Sequence, residues 1–192
     1  MGHGMAKRIL DAGHELSIYD KNPLSLEKLG SDGANVATSI AEVVANREVI
    51  ISMLPTDEIL EELVFAKGGL LECMPKDSIH MPSGTHSIQT IRQLTNAHTE
   101  ANQILVEGHV LGRPDLAAEG QLTIIPAGPP DALKTLQPIF DLLAKRTFIT
   151  GEIPESSTAV KIANNFVLGS AIEVIGESMA LIKKFGVNPQ LF

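Results

Sequence analysis

The sequence contains no tryptophan and a single cysteine, Cys73. A lone cysteine excludes a disulfide within the chain and agrees with a reducing compartment, so we expect a cytoplasmic protein. Clusters of basic residues are also absent, and the formal net charge is −8. Nucleic-acid binding depends on clustered Lys and Arg that neutralise phosphates, so we expect no nucleic-acid partner.

Long apolar runs are missing as well. No segment reaches the roughly eighteen consecutive apolar residues that a membrane-spanning helix needs, so the sequence predicts no membrane partner. The six histidines are scattered without the spacing of zinc ligands, and we expect no metal site. The chain is 44% hydrophobic, which supplies a core for a domain of ordinary size.

Helical and strand patterns alternate along the chain. The segments "ELSIYD" (15–20), "EVIISML" (48–54), "QILVEGHV" (103–110) and "LTIIPAG" (122–128) each predict one strand. The second of these is apolar almost throughout, which is typical of a strand covered on both faces. Strands that alternate with helices imply right-handed βαβ units, so we predict an α/β fold with a mainly parallel sheet.

A long helix is predicted from about Glu155 to Phe185. Within it, Lys161 and Asn165 lie four residues apart and therefore share one face. Charged and amide side chains are costly in apolar surroundings unless they are paired or used. Two interpretations remain open at this point: these residues face solvent at the start of the helix, or they face a site.

The rest of this helix is apolar. We predict that a second chain or a further domain covers its stripe of large side chains, because exposed apolar surface of that size marks an interface. The stripe consists of Phe166, Val167, Ile172, Ile175 and Met179.

The start of the chain has half of a dinucleotide-binding pattern. A helix that begins near Gly2 leads to a strand that ends at Asp20. In dinucleotide-binding folds a glycine-rich turn places the pyrophosphate on the helix N-terminus, and an acidic residue about twenty positions on binds the ribose. Gly2 is then the last glycine of that turn, and we expect the first strand and two glycines to be absent. Alternatively, Asp20 is a turn-forming residue beside Asn22 and Pro23.

Taken in order, these segments resemble the β-hydroxyacid dehydrogenase family. That family includes 3-hydroxyisobutyrate dehydrogenase and tartronate semialdehyde reductase, and it is related to the N-terminal part of 6-phosphogluconate dehydrogenase. The resemblance rests on the order and spacing of five segments rather than on any single motif. They are "MGHGMAKRILDAGHELSIYDKNP" (1–23), "VIISMLPTDEILEELVF" (49–65), "GTHS" (84–87), "VEGHVLGRPDLAAEGQLTIIPAG" (106–128) and "KIANNF" (161–166).

The resemblance implies a Rossmann-like, doubly wound, mainly parallel sheet that lacks its first strand and is followed by a long interdomain helix. We expect residues 1–154 to form an N-terminally truncated dinucleotide-binding domain. Residues 155–192 are expected to form the interdomain helix and the start of an all-α C-terminal domain that is missing. The resemblance also implies a homodimer formed through the long helix.

The resemblance implies an enzyme that transfers a hydride between NAD(P) and a small 3-hydroxy acid or semialdehyde. Asp20 favours NAD because a carboxylate repels the 2′-phosphate of NADP, although the neighbouring Lys21 leaves NADP possible. Pro55 and Thr85 also suit the start and the cap of a helix, and both roles are compatible with cofactor contact. The expected cofactor-binding residues are Gly2, Asp20, Met53, Leu54, Pro55 and Thr85.

For catalysis, the resemblance assigns the general acid/base role to Lys161, with Asn165 holding the substrate or orienting the lysine. A lysine partly shielded from water has a lowered pKa and can exchange a proton with the substrate hydroxyl. The family's Ser-Gly-Gly substrate loop is here Leu111, Gly112 and Arg113. Arg113 either replaces the lost serine with a charged fork for the substrate carboxylate or is a surface arginine in a turn.

Three further residues depart from the family or remain open. Ser157 and Thr158 stand where the family usually has glycines. His109 either meets the substrate or lies at the end of a strand.

The alternative function is a catalytically impaired, truncated remnant that acts as a binding or oligomerisation module.

Overall fold

The computed structural model describes residues 1–192, in which helices and strands alternate for most of the chain. The strands are β1 Ser17–Ile18, β2 Asn35–Val36, β3 Val49–Ser52, β4 Ile79–Pro82, β5 Ile104–Leu105, β6 Glu107–Leu111, β7 Leu122–Ala127 and β8 Ala144–Thr147. The helices are α1 Gly2–Asp11, α2 Leu24–Ser31, α3 Ile40–Val44, α4 Asp57–Phe65, α5 Leu70–Cys73, α6 Ile88–Glu100, α7 Pro114–Ala118, α8 Pro130–Leu143 and α9 Glu155–Lys184, followed by a 3₁₀ turn, Pro189–Leu191.

The strands form three sheets with mainly parallel pairing. β1 pairs with β2, and the order β3-β4-β5 is parallel throughout. In the third sheet β7 pairs with β6 in antiparallel and with β8 in parallel orientation. The predicted α/β class is therefore confirmed. β1 and β3 belong to different sheets and are not joined by a common partner strand.

The prediction of a single strand over 103–110 is wrong, because the chain changes sheets at Val106. β5 pairs with β4, whereas Glu107 at the start of β6 pairs with Ala127 of β7. Val106 itself still donates its N–H to the His80 carbonyl at 3.0 Å. The partner strands are distant in sequence, so the pattern of residues 103–110 alone carries no sign of the change.

β3 is less covered than its apolar sequence predicts. Val49, Ile50 and Ile51 are half-buried, and only Ser52 is buried. The cause is that β3 pairs on one side only, with β4, so that its other edge is not shielded by a strand.

Two apolar clusters cover opposite faces of β3. Val49 and Ile51 pack with the larger cluster and Ile50 packs with the smaller one, as the alternation of side chains along a strand requires. The larger cluster centres on α8 and β7, with Leu122, Ile124, Leu136 and Phe140 fully buried. The smaller cluster joins α3 and α4 to α6, through Val44, Leu60, Val64, Ile91 and Leu94.

The long helix α9 is confirmed, but it is attached to the rest of the chain only near its start. Ser157 and Thr158 are its only fully buried residues. By length and composition alone α9 is apolar enough to cross a membrane, with a mean hydropathy of 1.4 over its most apolar 18-residue window, none of which is buried. This is weak evidence for a membrane span, because core helices of soluble proteins satisfy the same criterion.

A buried chain of hydrogen bonds links β3, β4 and α6. The amide nitrogen of Gln103 donates to the carbonyls of Leu71 and Met74, at 3.3 and 3.0 Å, so its oxygen faces His98 Nδ1 at 2.8 Å. His98 Nδ1–H therefore donates to Gln103, and His98 Nε2 accepts from His80 Nδ1–H at 3.0 Å.

The same chain continues to the carboxyl end of β3. His80 Nε2 accepts from the hydroxyl of Ser52 at 2.9 Å. Burial lowers the pKa of both His80 and His98, so both rings are uncharged at neutral pH and can accept in this way. One glutamine thus fixes the tautomers of two histidines and the direction of a serine hydroxyl.

We expect Gln103→Leu to lower the free energy of unfolding by about 1–3 kcal/mol, because it leaves the buried His98 N–H and two carbonyls without a partner. Urea unfolding of the two proteins measures the difference. The exposed Gln137→Leu on α8 is the matched control and should change stability by less than about 0.5 kcal/mol. Equal losses in the two variants would contradict the stabilising role of the buried chain.

Candidate active site

A cleft of about 250 Å³ lies where the loops that follow β3 and β4 meet β6 and the first turns of α9. In open parallel sheets the carboxyl ends of the strands form one edge, and ligands bind outside that edge. The cleft is lined by Met1, Met53, Leu54, Pro55, Ser83, Gly84, Thr85, Val110, Gly112 and Lys161. No carboxylate is among these residues.

The loops after β3 and β4 are in close contact beside the cleft. A Cβ atom placed on Gly84 would lie 2.2 Å from the Leu54 carbonyl oxygen and 2.4 Å from His86 Nε2. Only glycine permits this approach, because any side chain would overlap with backbone. Gly84 therefore keeps the two loops together, with the buried His86 ring packed against it.

Lys161 reaches the cleft from α9 and is half-buried there. Its Nζ donates to the carbonyl oxygen of Val110 in β6 at 2.8 Å. Burial lowers the pKa of the Lys161 amine below its ordinary value. No acidic side chain contacts the amine, so nothing opposes this shift by pairing with the charged form.

Two hydroxyl side chains fix the first turn of α9 just ahead of Lys161. Ser157 Oγ donates to the Ile125 carbonyl of β7 at 2.5 Å. Thr158 Oγ1 lies 3.3 Å from Nε2 of His109 in β6, within hydrogen-bond distance. Both side chains are completely buried. The departure from glycine at these two positions thus supplies the contacts that attach the helix.

A buried acid and imidazole stand behind Thr158. His109 Nε2 also lies 3.1 Å from Glu107 Oε1, and both side chains are completely buried. Burial raises the pKa of Glu107 well above its ordinary range, and burial also lowers the pKa of His109 to about 4. The contact is therefore between two uncharged groups at neutral pH rather than an ion pair.

The structure brings many of the predicted site residues together. Gly2 lies just beside the cleft, since a Cβ atom placed on it would be 3.5 Å from Met53 Cβ. The predicted residues that line the cleft are Met53, Leu54, Pro55, Thr85, Gly112 and Lys161.

Four other predicted residues lie outside the lining. Leu111 is half-buried at the end of β6, and Asn165 is exposed one turn beyond Lys161. Arg113 is exposed and donates to Asp115 Oδ2 at 2.8 Å, which matches the surface interpretation of this residue. Asp20 is exposed after β1, and its Oδ1 accepts from the Asn22 N–H at 2.7 Å, as expected for a turn-forming residue.

The sequence pattern did not indicate that Glu107 is buried, or that Ser83 and Val110 line the cleft. It left His109 open, and the structure places it inside β6, away from the lining of the cleft. Glu107 and His109 are two residues apart in a strand and so point to the same face. That spacing was the available signal, although polar residues in such a pair are usually exposed.

The family comparison decides between the possible interpretations of this cleft. Residues 1–151 match the family described as the NAD binding domain of 6-phosphogluconate dehydrogenase. The chain belongs to this family. NAD is therefore confirmed as the cofactor that its dinucleotide-binding domain is built for.

Individual relatives agree with membership of the 6-phosphogluconate dehydrogenase NAD-binding family. The Bacillus subtilis protein named "Uncharacterized oxidoreductase YfjR" is 34% identical over 192 residues, which are 100% of this chain and 67% of that protein. The Pseudomonas aeruginosa 3-hydroxyisobutyrate dehydrogenase is 30% identical over 189 residues, 98% of this chain and 63% of that protein.

A solved structure shows the same fold. The Mycobacterium tuberculosis 3-hydroxyisobutyrate dehydrogenase with L-serine superimposes with a TM-score of 0.92 at 25% identity, over 99% of this chain and 64% of that one. The chain thus spans about two thirds of the length of the relatives that it matches.

The residues at the edge of the sheet fit the cofactor of the family. Met53 to Pro55 offer an apolar wall for a planar ring, and Thr85 adds a hydroxyl. The N-terminus of α1, at Gly2, has neither a side-chain cap nor an acidic residue in its first turn, so its N–H groups can face a phosphate. Asp20 uses only one carboxylate oxygen in its turn, which leaves the other for a ribose hydroxyl.

The lowered pKa of His109 makes a prediction about stability and pH. Below pH 6.5 an unfolded chain protonates this histidine, whereas the folded chain keeps it neutral down to about pH 4. Its contribution to stability is therefore complete above pH 6.5 and is lost as the pH falls to 4. When the pH is lowered from 7.5 to 4.5, the free energy of unfolding of His109→Gln should fall by roughly 2–3 kcal/mol less than that of the unsubstituted protein.

Urea unfolding at the two pH values measures this difference. The exposed His14→Gln serves as the control and should show the same change with pH as the unsubstituted protein. Parallel losses in all three proteins would mean that His109 is not kept neutral by burial.

Proposed function

We propose that this protein is an NAD-dependent oxidoreductase that transfers a hydride between the cofactor and a small 3-hydroxy acid or semialdehyde. The observation that carries the proposal is the half-buried amine of Lys161 at the cleft, beside the loops that fit the cofactor. The relatives named as 3-hydroxyisobutyrate dehydrogenases support the substrate class. NADP is a possible alternative cofactor because Lys21 adjoins Asp20.

The bound nicotinamide ring supplies the acceptor for the hydride that leaves the carbinol carbon. Lys161, as a neutral amine, takes the proton of the substrate hydroxyl while that carbon becomes a carbonyl. In reduction the Lys161 ammonium donates this proton and stabilises the negative charge that develops on the oxygen. The lowered pKa increases the neutral fraction of the amine near neutral pH.

The backbone of β6 directs the amine. Because Val110 accepts one of the Nζ hydrogens, two positions on the nitrogen remain for the substrate. Asn165, one turn further along α9, is proposed to hold the substrate from the same face of the helix.

The lining of the cleft suits an anionic substrate. It contains Lys161 and the hydroxyls of Ser83 and Thr85 but no carboxylate. The Ser83 hydroxyl is buried in the wall of the cleft and has no partner within the chain. Leu111 and Arg113 stand outside the lining, which leaves Gly112 as the member of the aligned substrate loop that can contact the carboxylate.

The assembly is proposed from the exposure of α9. We infer that residues 1–154 act as the dinucleotide-binding domain and that α9 connects them to further helical structure. A homodimer formed through α9 would cover Phe166, Val167, Ile172 and Ile175, whose exposed fractions are 75%, 66%, 63% and 57%. The cytoplasmic location is proposed from the single cysteine alone.

The same exposed face favours a second candidate function. A binding or oligomerisation module would use α9 as its interface and would not need the cleft. Calorimetric titration with NAD separates the two candidates. Binding by the 192-residue chain supports the dehydrogenase, and no binding together with self-association supports the module.

We expect Lys161→Ala to lower kcat for NADH formation from short 3-hydroxy acids by about 10²–10⁴-fold, because the proton acceptor is lost. Absorbance of NADH measures the rate across a panel of such acids. Lys134→Ala, which removes an exposed lysine from α8, is the matched control and should retain the rate of the unsubstituted protein. Equal turnover by Lys161→Ala would remove the role proposed for this residue.

A further inference from the structure

The buried, unpartnered polar atoms of this chain are concentrated at the cleft and behind it. Seven buried side-chain nitrogen and oxygen atoms have no hydrogen-bond partner, and all except one belong to Ser83, His86, Glu107 and His109. Such atoms destabilise a fold, and natural proteins keep them where they serve a further purpose. Among them, Glu107 and His109 lie next to Thr158, three residues before Lys161 on α9, which raises the question of what their purpose is.

The first turn of α9 has few other means of attachment. Beyond Thr158 every residue of α9 is at least partly exposed, so apolar burial does not hold the helix in place. Ser157, Thr158 and Lys161 make hydrogen bonds with β6 and β7. Their targets are neighbours, because His109 pairs with Ile125 in the β6–β7 ladder and Val110 follows His109. The first turn also contacts Arg92 of α6 through Glu155 and Thr150 through Ser156.

Thr158 and Lys161 are three residues apart, so they lie on one face of α9. A change in the position of Thr158 therefore moves the Lys161 amine with it. The Thr158 hydroxyl is held by a buried ring that is packed against a second buried side chain, since His109 Nε2 also lies 3.1 Å from Glu107 Oε1, a close contact without hydrogen-bond geometry. Both neighbours meet the same ring nitrogen, which has one hydrogen or one lone pair, so Nε2 makes its hydrogen bond to the Thr158 hydroxyl while Glu107 packs against it.

We propose that Glu107, His109 and Thr158 form a positioning network, which fixes the first turn of α9 and thereby holds the Lys161 amine at the cleft. None of the three residues lines the cleft, so they act through Lys161 and do not touch the substrate. The effect of the network on turnover rests on the proposed function, whereas its effect on the position of the Lys161 amine does not.

The charge state of the network suits this role. Burial raises the pKa of Glu107 and lowers that of His109, so neither group is charged near neutral pH. Because the pair is neutral, the pKa of the Lys161 amine is shifted by the burial of the amine itself and not by a neighbouring charge. An ionised Glu107 would instead attract the ammonium form and raise the pKa of Lys161.

The test compares Thr158→Val with Thr158→Ser in the full chain. Valine keeps the branched shape and loses the hydroxyl, whereas serine keeps the hydroxyl. Limited acylation with an N-hydroxysuccinimide ester, read by peptide mass spectrometry, reports how accessible the Lys161 amine is relative to the exposed Lys134. Steady-state kinetics with NAD and a 3-hydroxy acid gives kcat and KM for the same proteins.

We expect Thr158→Val to raise the relative acylation rate of Lys161 about ten-fold and to lower kcat about ten-fold, the size of one lost hydrogen bond, while KM for NAD stays within about two-fold. Thr158→Ser should restore both values to within about two-fold. Thr135→Val removes an exposed hydroxyl from α8 and should alter neither.

Three outcomes would overturn the proposal. The first is a relative acylation rate of Lys161 that is unchanged in Thr158→Val, and the second is an unchanged kcat despite faster acylation. The third is faster acylation of Lys161 and a lower kcat in Thr158→Ser as well, which would show that the shape of threonine matters and not its hydroxyl. If the unsubstituted protein shows no turnover, the proposed function fails, and the acylation rates alone then decide whether the network positions the amine.

Discussion

The site depends on the attachment of the first turn of α9 to β6 and β7. Lys161 projects from a helix that is exposed over nearly all of its length, so its position is set by the few contacts at the start. Ser157 binds a backbone carbonyl of β7, and Thr158 binds a side chain of β6. Without these contacts the amine would have no fixed relation to the loops that follow β3 and β4.

Both sides of the cleft are fixed by buried polar groups rather than by apolar packing alone. On one side the chain from Gln103 through two histidines ends on Ser52, the residue before Met53 of the cleft. On the other side Glu107 and His109 support Thr158. Buried hydrogen bonds have defined directions, so they fix geometry more sharply than apolar contacts do. Both groups stay uncharged because burial shifts their pKa values toward the neutral forms.

The sequence predicted the parts of this structure that depend on local pattern. The order of helices and strands follows from periodicity, and the shared face of Lys161 and Asn165 follows from helical spacing. The resemblance to β-hydroxyacid dehydrogenases predicted the fold and the cofactor, both of which are confirmed. It also named six of the residues that line the cleft, and their functional roles remain predictions.

Features that depend on distant partners could not be predicted. The change of sheets at Val106 is set by β4 and β7, which lie outside the segment 103–110. Glu107 is polar, so its complete burial follows only from the elements that surround it. Ser157 and Thr158 were visible as departures from glycine, but their targets are 32 and 49 residues away in sequence. Arg113 is different, because its partner Asp115 is local and was visible in the sequence.

α9 holds the Lys161 amine in a half-buried position where its pKa is lowered. An NMR titration of the lysine side chains in ¹³C-labelled protein, with the Lys161 signal assigned through Lys161→Arg, measures this directly. We expect Lys161 to titrate below its ordinary value of 10.5 and Thr158→Val to bring the midpoint back toward that value. A Lys161 midpoint at or above 10.5 in the unsubstituted protein would show that burial does not lower the pKa of this amine.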